Sequence, residues 1–462
     1  MKTSNVECPK KWNDVSDVII VGTGYSGLAA AIVAKELGLS VNLIEKMRAP
    51  GGNSIIAGGG INAVDPIRQK RQSIIDSKEF FYNQTIAGGD HINDPEKVRV
   101  MVDHALNSAV CFLERLGVVW PEKVTYGFGS LYKRTHSEGY YIDKNQKKRL
   151  RGAANIYAML DKLAGLNQKI LYKHKMIRII REKPLYGRVL GVEIDAIGHK
   201  KFFLAKKGII LASGGFAANL DWVSMLDRRL SNTKTSNHRG ATGECIKLAQ
   251  DIGADTLHMD YIQAIPKKVN HPFKGMFYQI DSKEIRELST TMPYRIFINI
   301  KGRRFVNEAA RRDVIKNAVL SQPTFKPKKD INADSIEILE KKLGLPEKSL
   351  VQTVENYNIA CEIKKDKDFS KDPTLLIPIK SGPFKAITKA IVRHHTMGGL
   401  KVKGTSGQVV DRWGNVIKGL YAAGEVTGGT HGANRLGHNG TVDCLVFGQL
   451  CAEMIAKEQS WI

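Results

Sequence analysis

The chain is short of acid, of aromatic rings and of paired cysteines. Against 70 Lys and Arg stand 46 Asp and Glu, a formal net charge of +24. Aromatic residues make up only 7% of the sequence, and no nucleic-acid module is recognisable. A nucleic-acid partner is therefore not expected. The charge reads as a solvated basic surface, or as a field that steers an acidic substrate or acidic protein partner. Its basic residues cluster as KNQKKRLR at 144–151, KGRR at 301–304 and KPKK at 326–329. Six scattered cysteines form neither C-x-x-C nor C-x-x-C-H, which excludes a c-type haem attachment and fits a reducing compartment. Cys444 and Cys451, seven apart in an expected helix, would share a face. No apolar run approaches the roughly 20 residues that span a bilayer, so no integral membrane segment is expected. The N-terminal MKTSNVECPKKWNDVS is polar, without the apolar core of a signal peptide. The expectation is a cytoplasmic protein, or a periplasmic one if a leader was removed. No metal site is expected.

What is present begins at DVIIVGTGYSGLAAAIVAKELGLSVNLIEK, residues 17–46. A β-branched strand leads into Gly22, Gly24 and Gly27 at G-x-G-x-x-G spacing, followed by a helix and a second strand ending in Glu45. Gly22 permits a tight turn, Gly24 lets backbone approach a pyrophosphate, and Gly27 lets helix and strand pack closely. The helix N-terminus, with Ser26, offers N–H groups and positive dipole to phosphate. Glu45, followed by Lys46, is placed to accept from ribose hydroxyls. With strand, helix and acid all in place, this is a dinucleotide site. The glycine-rich RAPGGNSIIAGGGINA at 48–63 points to a flavin bound in an extended pose, with Gly52, Asn53, Ser54, Gly58, Gly59 and Gly60 beside it.

These motifs resemble the flavoproteins of the fumarate reductase and succinate dehydrogenase family. The resemblance is closest to the soluble flavocytochrome c fumarate reductase and urocanate reductase branch, without a haem domain. It is strongest at 17–63 and 390–456. It implies an α/β fold: a Rossmann-like FAD-binding domain, 1–260 and 386–462, with an inserted α+β capping domain, 261–385, that closes over the flavin. Family members with covalent FAD carry a histidine in the flavin loop. Here Asn53 and Ser54 stand there, implying non-covalent FAD. KGIILASGGFAAN at 207–219 resembles the strand returning to the flavin, with Ser213 and Gly214. The NHRGATGEC segment resembles one whose acid lies near FAD, here Glu244. In the closing motif, Glu425 would bind the adenosine ribose, and the helix from Gly440 and Thr441 would aim its N-terminus at the flavin pyrimidine.

The resemblance also assigns catalytic roles. In RHHTMGG at 393–399, His394 would bind one substrate carboxylate together with Arg435, an imidazole donor beside a guanidinium fork. His395 reads as a core histidine. In GRRFVNEAARRD at 302–313, Arg312 stands in the place of the proton donor. A guanidinium with a pKa above about 12 serves as an acid only if a relay reprotonates it. The alternative for Arg312 is structural pairing with Asp313 or Glu308.

Two departures from the family matter. Where fumarate reductases have Q-x-H-P, this chain has QAIP, with Ile265 in the histidine's place. Counting back from Arg312 puts Glu287, Leu288 and Thr291 where the relay residues belong, with Glu284 and Arg286 nearby. One carboxylate-binding half is kept while the other becomes more apolar. The expected substrate is a small carboxylate with an apolar, aromatic or heterocyclic far end, of the urocanate, cinnamate or acrylate type. The alternative is the reverse chemistry, a dehydrogenase or oxidase that desaturates a carboxylate or ketone, as in ketosteroid dehydrogenases and aspartate oxidases. A separate electron-donor protein, or a flavin or NADH donor, is left open. SQPTFKPKKDINADS at 321–335 reads as a loop before the helix DSIEILEKKLG.

Overall fold

The computed structural model describes residues 8–127, 132–288 and 292–462. The chain forms two compact units. One comprises residues up to Leu226, Asn237–Ile262 and His395–Ile462; the other comprises Asp227–Ser236 and Gln263–His394.

The first unit is built on a sheet whose central strand, β1 (Asp14–Val21), is β-branched along Val18, Ile19 and Ile20 and fully buried there. Such residues suit a strand covered on both faces. β1 runs parallel to β2 (Val41–Glu45) on one side and to His199–Leu211 on the other. His199–Leu211 in turn pairs parallel with Val416–Ala422. Val21 lies opposite both Ile44 and Leu211, and Leu211 opposite Ala422, so four carboxyl ends line up. Between β1 and β2 runs helix α1 (Tyr25–Glu36), whose Ala29, Ala30 and Ala31 are fully buried. These small residues let the closing helix Asn439–Lys457 lie against α1. A Cβ on Gly448 would fall 2.5 Å from the Ser26 carbonyl oxygen, so the approach is backbone-close. Cys444 and Cys451 both lie on the closing helix, and all six cysteines are free thiols.

The second unit has a mainly antiparallel sheet in the order Ile262–Lys268, Phe384–Thr396, Met276–Asp281, Ile296–Ile298. Tyr278, Ile280, Ile298 and Phe384 pack against Leu339, Leu343, Leu350 and Tyr357 from two helices, Ile336–Leu343 and Ser349–Glu362. Ser335 caps the first of these helices by accepting from Ile338 N at 3.3 Å, and Gly344 ends it in the left-handed region. The stretch read as a loop at 321–335 is not loop throughout. Ile331–Ala333 is a short strand that pairs antiparallel with the start of Phe384–Thr396, Ile331 opposite Ala386 and Ala333 opposite Phe384.

The unit boundaries differ from 261 and 385. Phe384–Thr396 keeps its pairing in the second unit well past residue 385, from Met276↔Ala390 to the bridge Thr235↔Arg393. That bridge, with Ser236 N donating to Arg393 O at 2.9 Å, also ties Asp227–Ser236 into this unit.

Candidate active site

The four aligned strand ends open onto a cleft in the first unit. An open parallel sheet places ligands at this edge. Gly22, Gly24, Ser26, Glu45, Lys46, Gly52, Asn53, Ser54, Ser213, Gly214, Glu244 and Glu425 all line it. Gly22 has φ +107°, and a Cβ there would lie 2.5 Å from the Ala212 carbonyl oxygen. On Gly27 a Cβ would lie 1.9 Å from the Gly22 carbonyl oxygen, so only glycine lets α1 start this close to the turn. Gly24 is looser; the nearest atom to its added Cβ is Ser54 Oγ at 3.1 Å. α1 begins without a side-chain cap and without an acid in its first turn. That leaves its positive end to the cleft, as a pyrophosphate requires.

Glu45 accepts from Thr23 N (3.2 Å), Thr23 Oγ1 (2.6 Å) and Met47 N (2.9 Å), which fixes the carboxylate beside the glycine turn. Asn53 accepts from His238 N at 2.6 Å and donates to Asn237 at 2.5 Å. Ser54 Oγ accepts from Tyr25 N at 3.0 Å. Lys46 bridges Thr242 (2.8 Å) and Glu244 (2.5 Å), and Lys175 takes the other Glu244 oxygen at 2.9 Å. Burial raises the Glu244 carboxyl, but the two lysines outweigh it and hold it below its usual range.

Three expected flavin-loop residues do not line this cleft. Gly58 is exposed. Gly59 and Gly60 are explained by protein neighbours: added Cβ atoms would meet Arg151 C at 2.4 Å and His438 Nδ1 at 2.5 Å. Glu425 lies in the cleft but away from Glu45. Two strands, β1 and His199–Leu211, separate β2 from Val416–Ala422, the strand that leads to Glu425. Three strand spacings are about 14 Å. Glu45 and Glu425, both expected at a ribose, therefore stand at separate places along the cleft.

Glu425 anchors a buried polar cluster. It accepts from Thr396 N at 3.0 Å and lies 3.3 Å from His395 Nδ1. Burial alone raises its carboxyl; His395 and the Thr396 amide reverse this and leave it lowered. Arg435 is 7% exposed, and burial pulls its guanidinium down to about 10 despite the opposing pull of Glu425. Gly440, at the head of the closing helix, packs on both residues: its added Cβ would lie 3.2 Å from Arg435 Cδ and 3.6 Å from His395 Cε1. Thr441 follows on the same helix. The ring of His431 meets that of His395 edge-on at 5.4 Å, and burial, then the nearby cations, push His431 well below its usual value.

His395 is buried, as the core-histidine reading expects, but a satisfied core histidine uses both nitrogens, and here Nε2 has no hydrogen-bond partner among the described residues. The sequence reading gave His395 no part in binding, and it did not single out His431, within the THGA of the closing motif. Buried imidazoles beside an arginine announce themselves only in three dimensions.

In the second unit, Arg312 opens the helix Arg312–Leu320 and donates through Nη1 to Gln263 Oε1 at 2.8 Å. The alternative partners are committed elsewhere. Asp313 takes Arg311 at 2.8 Å, while Glu308 takes Arg304 at 2.9 Å and Lys371 at 3.3 Å. His394 Nδ1 lies 2.8 Å from Ser236 Oγ. Ile265 is half-buried on the Gln263 strand. Of the relay candidates, Glu287 is exposed beside Lys283, and Arg286 binds Asp281 at 2.6 Å and Pro383 O at 2.7 Å. Glu284 is held below its usual range: burial raises it, and the Ser282 and Ser381 hydroxyls lower it. Thr291 and the Leu288 side chain lie outside the described residues.

Comparison with known proteins gives a consistent picture. Residues 17–441 match the family model described as FAD binding domain. The chain is 34% identical to an NADH:fumarate oxidoreductase of Klebsiella pneumoniae, over 98% of this chain and 48% of that protein. It thus spans about half the length of that relative. It is 33% identical to a fumarate reductase (cytochrome) of Shewanella frigidimarina, over 96% of this chain and 78% of that one. A urocanate reductase of Eggerthella lenta is 32% identical, over 94% and 73%. Among solved structures, the open conformation of a flavocytochrome c3 fumarate reductase superposes with a TM-score of 0.73 at 27% identity, covering 96% of this chain and 79% of that one. The mixed α/β architecture is shared with it. No helix among the described residues is long and apolar enough to cross a membrane.

Proposed function

The chain belongs to the FAD binding domain family, as an FAD-dependent oxidoreductase of the fumarate reductase kind, and from that premise we propose that it reduces the C=C bond of an α,β-unsaturated carboxylate. The observation that carries this reading is the buried Arg435–His395–Glu425 cluster in the unit that holds the dinucleotide cleft. The buried Arg435 guanidinium, and the His395 Nε2 that meets no hydrogen-bond partner among the described residues, are suited to a carboxylate, which accepts from both.

FAD fits the cleft's uncapped helix end, its glycine turn and its anchored Glu45; bound there, it supplies hydride from N5. Its attachment is non-covalent in this proposal, since the loop side chains are Asn53 and Ser54, each already hydrogen-bonded within the protein. In this proposal Arg435 and His394 hold the substrate carboxylate, and the guanidinium's positive charge stabilises the enolate-like charge that develops on it. Arg312 gives the proton to the α-carbon. Gln263 fixes its guanidinium, while Asp313 and Glu308 are taken up by other cations. Ile265 favours an apolar far end, as in urocanate, cinnamate or acrylate, because an apolar branch cannot hydrogen-bond a second carboxylate. The electron donor is a separate protein or a small flavin or nicotinamide.

The test is anaerobic. Photoreduced protein is mixed with fumarate, urocanate, cinnamate and acrylate in turn. Flavin reoxidation with formation of the saturated acid is the expected result for at least one. Reduced flavin that none of them reoxidises, together with oxidised flavin that saturated acids or ketones bleach, would put the desaturating reading in its place.

A further inference from the structure

The basic run at 144–151 has no part in the chemistry above. It forms a hairpin, Tyr140–Ile142 and Lys148–Leu150, with Tyr140 opposite Leu150 and Ile142 opposite Lys148. Val119 bridges to Tyr140 from a third segment. Residues directly opposite one another share a face of a ribbon. One face therefore carries Val119, Tyr140, Leu150, Ile142 and Lys148. The other face is spoken for: Arg149 binds Asp143 at 2.7 Å and covers the Tyr157 ring at 3.9 Å, and Tyr141 donates to Asp161 at 3.1 Å. The first face is open, with Val119 46%, Ile142 45% and Leu150 55% exposed. Lys148 Nζ lies 4.5 Å over the Tyr140 ring.

Three contiguous apolar side chains on one open face differ from the singly scattered apolar residues of an ordinary surface. Around them stand exposed Lys144, Lys147, Lys148 and Arg151, with Glu138 as the exposed carboxylate nearby. The patch adjoins the cleft through one short helix. Gly152, just after the hairpin, donates to Ala57 O at 3.1 Å and packs on Ser54 O. Ala57 ends α2 (Gly52–Ile56), whose Asn53 and Ser54 line the cleft and whose Ile56 is 60% exposed.

We infer that this face is the docking site of an acidic electron-transfer protein that delivers electrons to the flavin across α2. An apolar centre with a basic rim is the anatomy of a charge-steered interface. A second copy of the chain, also at +24, would be repelled. The inference rests on the flavin reading of the cleft, not on the identity of the substrate.

The test uses reduced flavodoxin as the acidic protein probe and methyl viologen as a small donor, with reduction of the bound flavin as the readout. The triple variant Lys144→Glu, Lys147→Glu, Lys148→Glu is compared with Lys326→Glu, Lys329→Glu, Lys341→Glu, which changes net charge equally on the other unit. The hairpin triple should lower the flavodoxin rate at least tenfold at low salt and flatten its salt dependence, with the viologen rate unchanged. Leu150→Ser should lower the flavodoxin rate and leave its salt dependence as it was. Equal losses in the two triples would reduce the effect to overall charge and overturn the inference. An unchanged flavodoxin rate, with binding to phosphatidylserine vesicles lost in the hairpin triple, would assign the face to lipid and also overturn it. Wild-type flavin that viologen reduces but no enoate reoxidises would count against the proposed reaction and leave the docking result standing.

Discussion

Gly27→Ala is the sharpest probe of how the sequence builds the cleft. The new Cβ would start 1.9 Å from the Gly22 carbonyl oxygen, and real Cβ contacts essentially never fall below 3.0 Å, so about 1.1 Å of movement is required. Little around it can yield. Gly22 is fixed by its own approach to Ala212, the alanines of α1 have no exposed surface, and the closing helix rests on Ser26. Overpacking of a close-packed interior costs about 1–3 kcal/mol. The movement also displaces the helix end that faces the cleft. Gly27→Ala should therefore lose stability and bind FAD at least tenfold more weakly. Gly24→Ala, which meets only the Ser54 hydroxyl at 3.1 Å, should keep its stability and lose affinity alone. Thermal unfolding of the apoproteins and FAD titration by fluorescence quenching separate the two effects. A Gly27→Ala protein with wild-type melting and wild-type FAD affinity would refute the packing argument outright.

Three further outcomes follow from the site. Arg435→Met and His394→Ala should each weaken carboxylate binding roughly tenfold or more, the loss of one charge-assisted hydrogen bond of about 1.5–3 kcal/mol, with FAD content unchanged; His395→Ala should do the same if its free Nε2 meets the ligand, and equilibrium titration of the flavin spectrum reads all three. Arg312→Ala should abolish enoate turnover while viologen still reduces the flavin, and turnover near the normal rate would move the acid to another group, Tyr261, Tyr278 or Tyr294. Glu425 is lowered in the fold, so its stabilising contribution is complete above its unfolded value of about 4.3 and is lost as pH falls through its lower folded value. The melting-temperature gap between wild type and Glu425→Gln should then narrow on acidification below about pH 4, and a gap that widens would reverse the assignment.

The dinucleotide half of the molecule was legible because its requirements are local. A turn that only glycine can make, a helix of small residues and an acid at a strand end lie within 30 residues, and each does its work within a few ångströms of its neighbours in sequence. The rest depends on contacts between distant segments. Glu425 follows a strand whose place in the sheet no local pattern reveals, so its distance from Glu45 could be learned only from the strand order. The boundary expected near 385 differs from that of the compact units for a similar reason: Thr235, more than 150 residues earlier, bridges to Arg393 and keeps the end of Phe384–Thr396 in the second unit. The two histidines of RHHTMGG show the limit most clearly. The sequence fixes neither which face of the chain each one takes nor what waits there. His394 meets Ser236 in one unit, while His395 turns to Glu425 in the other and keeps a buried nitrogen that meets no partner among the described residues. Desolvating an imidazole nitrogen without giving it a partner is unfavourable, and such an arrangement persists where a ligand completes it. On that ground His395 joins His394 as a residue to test against every candidate carboxylate.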